Sequence, residues 1–370
     1  MTKDRVPTSN RPTRRRLLKT AAAFAGTTGA LAMPALAQGK RTVKFTLPWL
    51  AQGATAYAYV ADDQGMFAKR GIDIQISRGF GSLAAGQAIG NNQFEFGLVS
   101  ASSTMVCAAT GIPLVALATT NYDAYLGVLV RADSPIKTPK DLEGKHMGGI
   151  PSSVEFPLWR AFAKKAGVDA DKVDIVQADP RVMERILIEK KIDAMFCVTS
   201  TSYATAKALN TNTRALLASD YGLTFYSNNI VTRPDVMKKD PELCKGVTDA
   251  LLEALAFTLR DPNAALDIFL KKVPELSLSP GGREFSRLGQ GFMLASAVRP
   301  ESEDHGLGYS DMARVKEMLD LVMEYAVPPT AKRPNENELF TNQFIGSVRL
   351  TKDEWAKAAA QTKEFPALLA

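Results

Sequence analysis

Histidine and cysteine are scarce in this chain, at two and three residues among 370. His146 lies in a strand-like run and His305 in the polar stretch PESEDHG, and neither has a partner the sequence can place. Cys107, Cys197 and Cys244 are too far apart for metal-ligand or redox spacing. Cys107 and Cys197 sit among apolar residues and read as small core side chains, and no disulfide pairing follows from spacing. These absences leave no metal set and no Ser–His–Asp arrangement. No catalytic group and no cofactor are therefore expected, and an enzyme is the lesser reading.

A run able to cross a bilayer is also missing. The mildly apolar stretch from Ala21 to Met33 is short and is softened by Gly26, Thr27, Thr28 and Gly29. It follows Thr13-Arg14-Arg15-Arg16-Leu17-Leu18-Lys19, which resembles a twin-arginine export motif, and precedes Ala35-Leu36-Ala37, a small-x-small cleavage site. Residues 1–37 are read as a twin-arginine signal peptide, with the protein working in the periplasm. No cysteine stands at the cleavage site to take a lipid anchor.

An excess of charge is the third absence. The whole chain carries 45 Lys/Arg and 39 Asp/Glu, but residues 1–37 hold seven of the bases and one of the acids. The remainder has 38 of each, a formal charge of zero. The basic pI thus belongs to the leader, and charge makes no case for a nucleic-acid partner or an anionic membrane.

What is present is an alternating pattern. RTVKFT, IDIQIS and FEFGLVS read as strands, separated by helices near TAYAYVADDQGMFAKRG and SLAAGQAIGNNQ. The order recurs as GKHMGGI, VEFPLWRAFAKKAGV, VDIVQAD, RVMERILIEKK and IDAMFCV. A shift of 98 residues lays IGNNQFEFGLVSASS on LIEKKIDAMFCVTST. Two lobes on one plan are expected, each a mostly parallel sheet with helical crossovers. YDAYLGVLVRADS and YGLTFYSNNIVTRPD read as strands crossing between them, with Asn121, Tyr122, Tyr226 and Asn228 flanking the hinge. From about Pro234 the chain turns helical and is expected to return to lobe one and cover it. Thr351 and Glu354 open one of those helices with capping-box spacing.

Gly79-Phe80-Gly81-Ser82-Leu83-Ala84, after the strand IDIQIS, fits the G-x-G-x-x-G/A turn of dinucleotide folds. Such a site needs an acid at the end of the next strand to bond the ribose. That strand ends in LVSASSTM, and Glu95 stands at its start, so a nucleotide is not expected. The glycines allow close backbone approach to a ligand, and Ser82 can cap the following helix or bond that ligand.

The stretches VKFTLPWLAQG, GMFAKRGIDIQI, FEFGLVSASS, TPKDLEGKHMGGIPSSVE and KKIDAMF, in this order over residues 41–270, resemble periplasmic substrate-binding proteins of ABC importers. The group is that of sulfonate/nitrate and thiamine-pyrimidine-precursor binders (SsuA/THI5-like, NMT1). The resemblance implies an α/β, two-lobed periplasmic-binding-protein fold of type II: two similar lobes joined by two crossover strands, with a helical C-terminal extension. Lobe one is placed at 38–125, lobe two at 126–228, and the return to lobe one with the C-terminal helices at 229–370. It also implies a monomer that closes on a small-molecule solute and delivers it to an inner-membrane ABC permease with its ATPase. A pyrimidine-synthesising relative of the fold uses a cysteine-rich, iron-associated motif that this chain lacks.

Ligands of open α/β sheets lie beyond the carboxyl ends of the strands. That rule selects loops carrying Trp49 and Gln52, Gly81 and Ser82, Ser100 and Ser102, then Ser152, Ser153 and Glu155, then Thr199 and Tyr203. Trp49 offers a rigid face for stacking, and Tyr57, at the start of the next helix, offers a second wall. Glu155 either complements a helix dipole, with Ser152 in capping-box spacing, or accepts bonds from a ligand amine. None of these loops holds Arg or Lys. The site thus reads as aromatic, hydroxylated and mildly acidic, which favours a flat nitrogen-containing solute such as a thiamine-precursor pyrimidine. The alternatives are a small anion (sulfonate, taurine or nitrate) or another aromatic solute in the same role. Of another class, they are a pyrimidine-synthesis enzyme or a periplasmic sensor module.

Overall fold

A computed structural model describes residues 40–369 apart from 151, 152, 154, 180 and 181. The proposed leader at 1–37 and Ser152 lie outside the described residues. Among the described residues ten strands form two five-stranded sheets. The first has the order β2 (Ile72–Ser77), β1 (Arg41–Thr46), β3 (Phe96–Ser100), β10 (Asn228–Thr232), β4 (Val115–Thr119). The second has the order β7 (Asp174–Gln177), β6 (His146–Gly149), β8 (Ala194–Val198), β5 (Leu126–Arg131), β9 (Thr213–Leu217). In each sheet four strands run in one direction, and the strand arriving from the other lobe, β10 or β5, pairs antiparallel with both neighbours.

The 98-residue offset is a structural repeat. β3 and β8 differ by that offset at both ends, and so do the starts of α3 (Ala101–Ala109) and α6 (Thr199–Ala208). Asn92 and Lys190, also 98 apart, take the same left-handed turn before these strands, with φ of 61° and 60°. α1 (Ala56–Asp63), α2 (Ser82–Gly90), α4 (Trp159–Lys165) and α5 (Met183–Ile188) complete the two lobes.

Two segments differ from the sequence reading. Ser100–Ser103 and Thr199–Tyr203, expected as loops, are the N-terminal turns of α3 and α6. Ser100 caps α3 by accepting the Ser103 N–H, so its hydroxyl organises a helix start where a loop was expected.

The chain crosses between sheets at 120–125 and 218–227, and the crossings hydrogen-bond to each other. Asn121 N–H donates to Asn228 O at 3.2 Å, Ser227 N–H to Asn121 O at 2.9 Å, and Ala124 N–H to Phe225 O at 2.9 Å. The hinge is therefore a short two-stranded ribbon.

The C-terminal helices correct a second expectation, because they do not stay on lobe one. The helix Pro241–Arg260 does, packing Leu251 and Leu255 into the core around β1 and α1. The helix Gly282–Ala297 carries two apolar stripes. Leu288 and Phe292 join a core with Tyr125, Leu129 and Tyr203 of lobe two, whereas Met293, Leu294 and Ala297 join the core of lobe one. Residues 288/292 and 293/297 are i, i+4 pairs on different faces, which is why one helix serves both lobes. The helix Met312–Tyr325 likewise places Val315, Met318 and Leu319 between Met105 of α3 and Phe162 of α4.

Gly53, in the loop after β1, marks the closest approach of the bridging helix. A Cβ there would lie 1.8 Å from Ser286 O. Gly53→Ala is expected to destabilise the protein by about 1–3 kcal/mol through overpacking. An unchanged thermal midpoint would show that the contact is slack. At the end of the chain Thr351 and Glu354 form the expected capping box. A hydrogen bond from Arg260, followed by the Thr351 N–H, lowers the Glu354 pKa from 4.5 to about 2. The folded value is depressed, so this contribution is complete above pH 4.5 and is lost as the pH falls toward about 2. Melting curves across that window should show a steeper loss for the parent protein than for Glu354→Gln; parallel curves would remove the assignment.

Candidate functional site

The loops after β1, β2 and β3 are stitched into one surface by their backbones. Gly79 N–H donates to Trp49 O at 2.9 Å and Gly81 N–H to Pro48 O at 3.0 Å. A Cβ on Gly79 would stand 2.0 Å from Leu47 O, so this position admits only glycine. Gly81 has φ 123° and is the N-cap of α2. The glycines of the G-x-G-x-x-A run thus serve loop-to-loop pairing and helix entry. Ser82 then ties in the third loop, its Oγ accepting the Ser100 N–H at 2.6 Å. Trp49 and Gln52 sit half-buried beside this seam.

Ser100 is the centre of a hydroxyl cluster. Its Oγ lies 3.1 Å from Ser102 Oγ and 2.8 Å from Ser103 Oγ, and all three serines are buried. From the other lobe comes Glu155, on the loop after β6. One of its oxygens accepts from Ser153 Oγ at 2.6 Å, and the other lies 3.5 Å from Ser100 Oγ. Ser82, Ser100, Ser102, Ser153 and Glu155 therefore form a single row that crosses the cleft. No Lys, Arg or His among the described residues pairs with Glu155.

Other residues picked from the sequence have different surroundings. Tyr57 is fully buried and donates to Thr120 Oγ1 at 3.0 Å; it stands behind the cleft against the hinge, and burial pushes its hydroxyl pKa up. Thr199 donates its hydroxyl to Tyr125 O at 2.7 Å, also on a crossing. Tyr203 packs edge-on against Phe292, with ring centroids 5.9 Å apart, in the core under the bridging helix. These three positions support the hinge and the core of the site's floor.

The hinge residues are held from the C-terminal side. Tyr122 and Tyr226 meet edge-to-face at 5.4 Å. Tyr122 donates to Tyr309 O at 2.7 Å, and the Asp311 N–H donates to the Tyr226 hydroxyl at 3.2 Å. Asn228 O accepts the Thr120 N–H at 3.0 Å. Arg314 lies 4.3 Å over the Tyr226 ring and donates to Tyr122 O at 2.7 Å. Arg299 pairs with Asp123, which in turn accepts the N–H of Tyr125 at 2.8 Å and holds that residue at a strained φ of 46°.

Three residues near the cleft and hinge escaped the sequence reading. Glu184, in the first turn of α5, accepts from Ser202 Oγ at 2.8 Å, beyond the carboxyl ends of β7 and β8. Burial pushes its pKa up, and no basic side chain among the described residues pairs with it. The only sequence signal was an acid at a helix start, which the dipole explains equally well. Arg314 and Arg299 left no signal, because their partners are distant in the chain. The thiols of Cys107, Cys197 and Cys244 are all buried and pushed up to about 12, which makes them unreactive core groups. His146 pairs at the surface with Asp174, and His305 stacks on Tyr309.

The family model described as NMT1/THI5 like matches residues 53–265. The riboflavin-binding protein RibY of Chloroflexus aurantiacus is 22% identical over 293 residues, covering 78% of this chain and 81% of the relative. A formylaminopyrimidine-binding protein of Halalkalibacterium halodurans is 21% identical, covering 63% of this chain and 71% of that one. Among solved structures, the periplasmic aliphatic sulphonate binding protein SsuA of Escherichia coli superposes with a TM-score of 0.62 at 18% identity, over 84% of this chain and 94% of that one. The fold is thus the two-lobed one of periplasmic binding proteins. The family match runs from the loop after β1 through both lobes and both crossings into the first C-terminal helices, more than half of the sequence, and the chain belongs to the NMT1/THI5-like family.

Proposed function

We propose that this protein is the extracytoplasmic solute-binding component of an ABC importer. It captures a flat, amine-bearing heterocycle of the pyrimidine type between its lobes and delivers it to a membrane permease. The observation that carries this reading is Glu155, a carboxylate of lobe two that reaches the Ser100 cluster of lobe one with no basic partner among the described residues. A ligand amine placed there satisfies the carboxylate, and the serines of the opposite lobe supply further donors and acceptors. Trp49 provides the stacking face beside them. Glu184 and Ser202 add a second acceptor at the same end of lobe two.

Closure follows from linkage: a ligand that touches both lobes binds the closed state more tightly and shifts the population toward it. The names of two relatives, binders of riboflavin and of a formylaminopyrimidine, support a nitrogen heterocycle. The motif Arg14-Arg15-Arg16-Leu17-Leu18 supports export to the periplasm, where a permease would meet the closed form.

A thermal-shift screen of aminopyrimidines, flavins, alkanesulfonates, taurine and nitrate tests the reading. A ligand at about 100 times its dissociation constant adds about 2.7 kcal/mol, which is readily seen. Stabilisation by anions alone would overturn the amine assignment. Glu155→Gln is expected to weaken an aminopyrimidine by about 10- to 150-fold, the loss of one charge-assisted hydrogen bond of about 1.5–3 kcal/mol. Trp49→Ala should weaken the same ligand while leaving the apo melting point in place. Titration calorimetry showing parental affinity in both variants would remove this site. Recovery of the ligand unchanged after prolonged incubation separates binding from turnover.

A further inference from the structure

We propose that Arg78 and Phe80 form an outer subsite for an anionic group, so that the solute is a flat amine-bearing ring with an acidic arm. The proposal rests on the amine reading of Glu155 and extends it to the far end of the ligand.

Arg78 immediately follows β2, and Phe80 stands between the two glycines that pair with Pro48 and Trp49. The Arg78 guanidinium lies 4.7 Å from the centre of the Phe80 ring. Phe80 is 73% exposed, and its neighbour across the seam, Leu50, is 41% exposed. Among the described residues Arg78 meets no carboxylate within ion-pair distance and no hydrogen-bond acceptor. Arg70, Arg233, Arg287 and Arg314, by contrast, are held by carboxylates or carbonyls. Stacking on a ring covers one face of a guanidinium and leaves its N–H edge directed outward. That edge matches a carboxylate, phosphate or sulfonate in bidentate fashion.

The placement is fixed by the backbone. Gly79 and Gly81 hold the Arg78–Phe80 turn against the Trp49 loop, and four residues of chain cannot put Arg78 farther than about 14 Å from Ser82. From Ser82 the row continues through Ser100 to Glu155. Glu155 is acidic and Arg78, within about 14 Å of Ser82 along the chain, is basic, and neither charge is neutralised by the protein among the described residues. A simple anion would have to face Glu155, and a simple amine would leave Arg78 empty. A solute that carries both charges matches both ends.

The test compares two probes with the same ring, a 4-aminopyrimidine with a hydroxymethyl arm and the same ring with a carboxymethyl arm. By titration calorimetry at low salt, the acidic probe is expected to bind about tenfold tighter than the neutral one. Arg78→Gln should erase that gain and leave the neutral probe's affinity unchanged. Phe80→Ala should reduce the gain, and 0.5 M salt should reduce it in the parent protein (about a third of the low-salt Debye length at such strength). Glu155→Gln should weaken both probes alike. Equal affinities in the parent protein, or an equal loss of both probes in Arg78→Gln, overturn the outer subsite and leave the amine reading standing. Failure of both probes to bind the parent protein overturns both readings, and binding of the neutral probe alone overturns the outer subsite only. Both rim positions are at the surface, so a melting point matching the parent's confirms that each variant is folded.

Discussion

The antiparallel pairing of the two chain crossings is the constraint on which the rest of this molecule depends. Each lobe must receive its fourth strand from the other, because β5 and β10 are the antiparallel members of otherwise parallel sheets. The first sheet is complete only when the chain has crossed twice and returned as β10. The bonds between residues 121–124 and 225–228 then join the two connections of the lobes with only a few peptide groups, and the C-terminal helices add packing against both lobes. Two of the hydroxyl-bearing residues singled out around the cleft are tied to that ribbon or to the strand that leaves it. Ser100 stands at the end of the strand paired with β10, and Thr199 is bonded directly to the first crossing. Even Tyr57, buried far from solvent, spends its hydroxyl on Thr120 of the ribbon.

Much of this was legible in one dimension. The strands showed as apolar alternation, and the repeat at 98 residues showed as a recurring polar turn before an acid-bearing strand. Asn92 and Lys190 turned out to share a backbone conformation that no side-chain similarity announces. The helices α3 and α6 were missed for a physical reason. Nearly every residue of ASSTMVCAA is buried, so the helix has no polar face and no amphipathic period to detect. The hydroxyl-rich sequence at its start reads equally well as a loop, and the N-cap bond of Ser100 decides between the two.

The site was legible to a similar depth. The loops at the carboxyl ends of the strands follow from topology, and they brought Ser82, Ser100, Ser102, Ser153 and Glu155 onto one row. Topology did not separate residues that face the cleft from those that face the hinge. Tyr57, Thr199 and Tyr203 are buried and spend their side chains on Thr120, Tyr125 and Phe292. Gly79 illustrates the same limit. A glycine there was conspicuous, but its cause is a carbonyl 32 residues earlier, and only the fold brings the two together. Glu184 and the arginines over the hinge depend on contacts between elements that are remote in sequence.

The bridging helix gives the hinge a thermal character. Its Leu288 and Phe292 are buried in one lobe and its Met293 and Ala297 in the other. Any opening that draws this helix away from either lobe wets apolar surface, and the free energy of such a motion carries a positive heat capacity. The clasp then weakens as the solution is cooled, because hydrophobic association weakens on cooling. Cooling is thus expected to ease the parting of the two lobes at temperatures where each lobe is still folded.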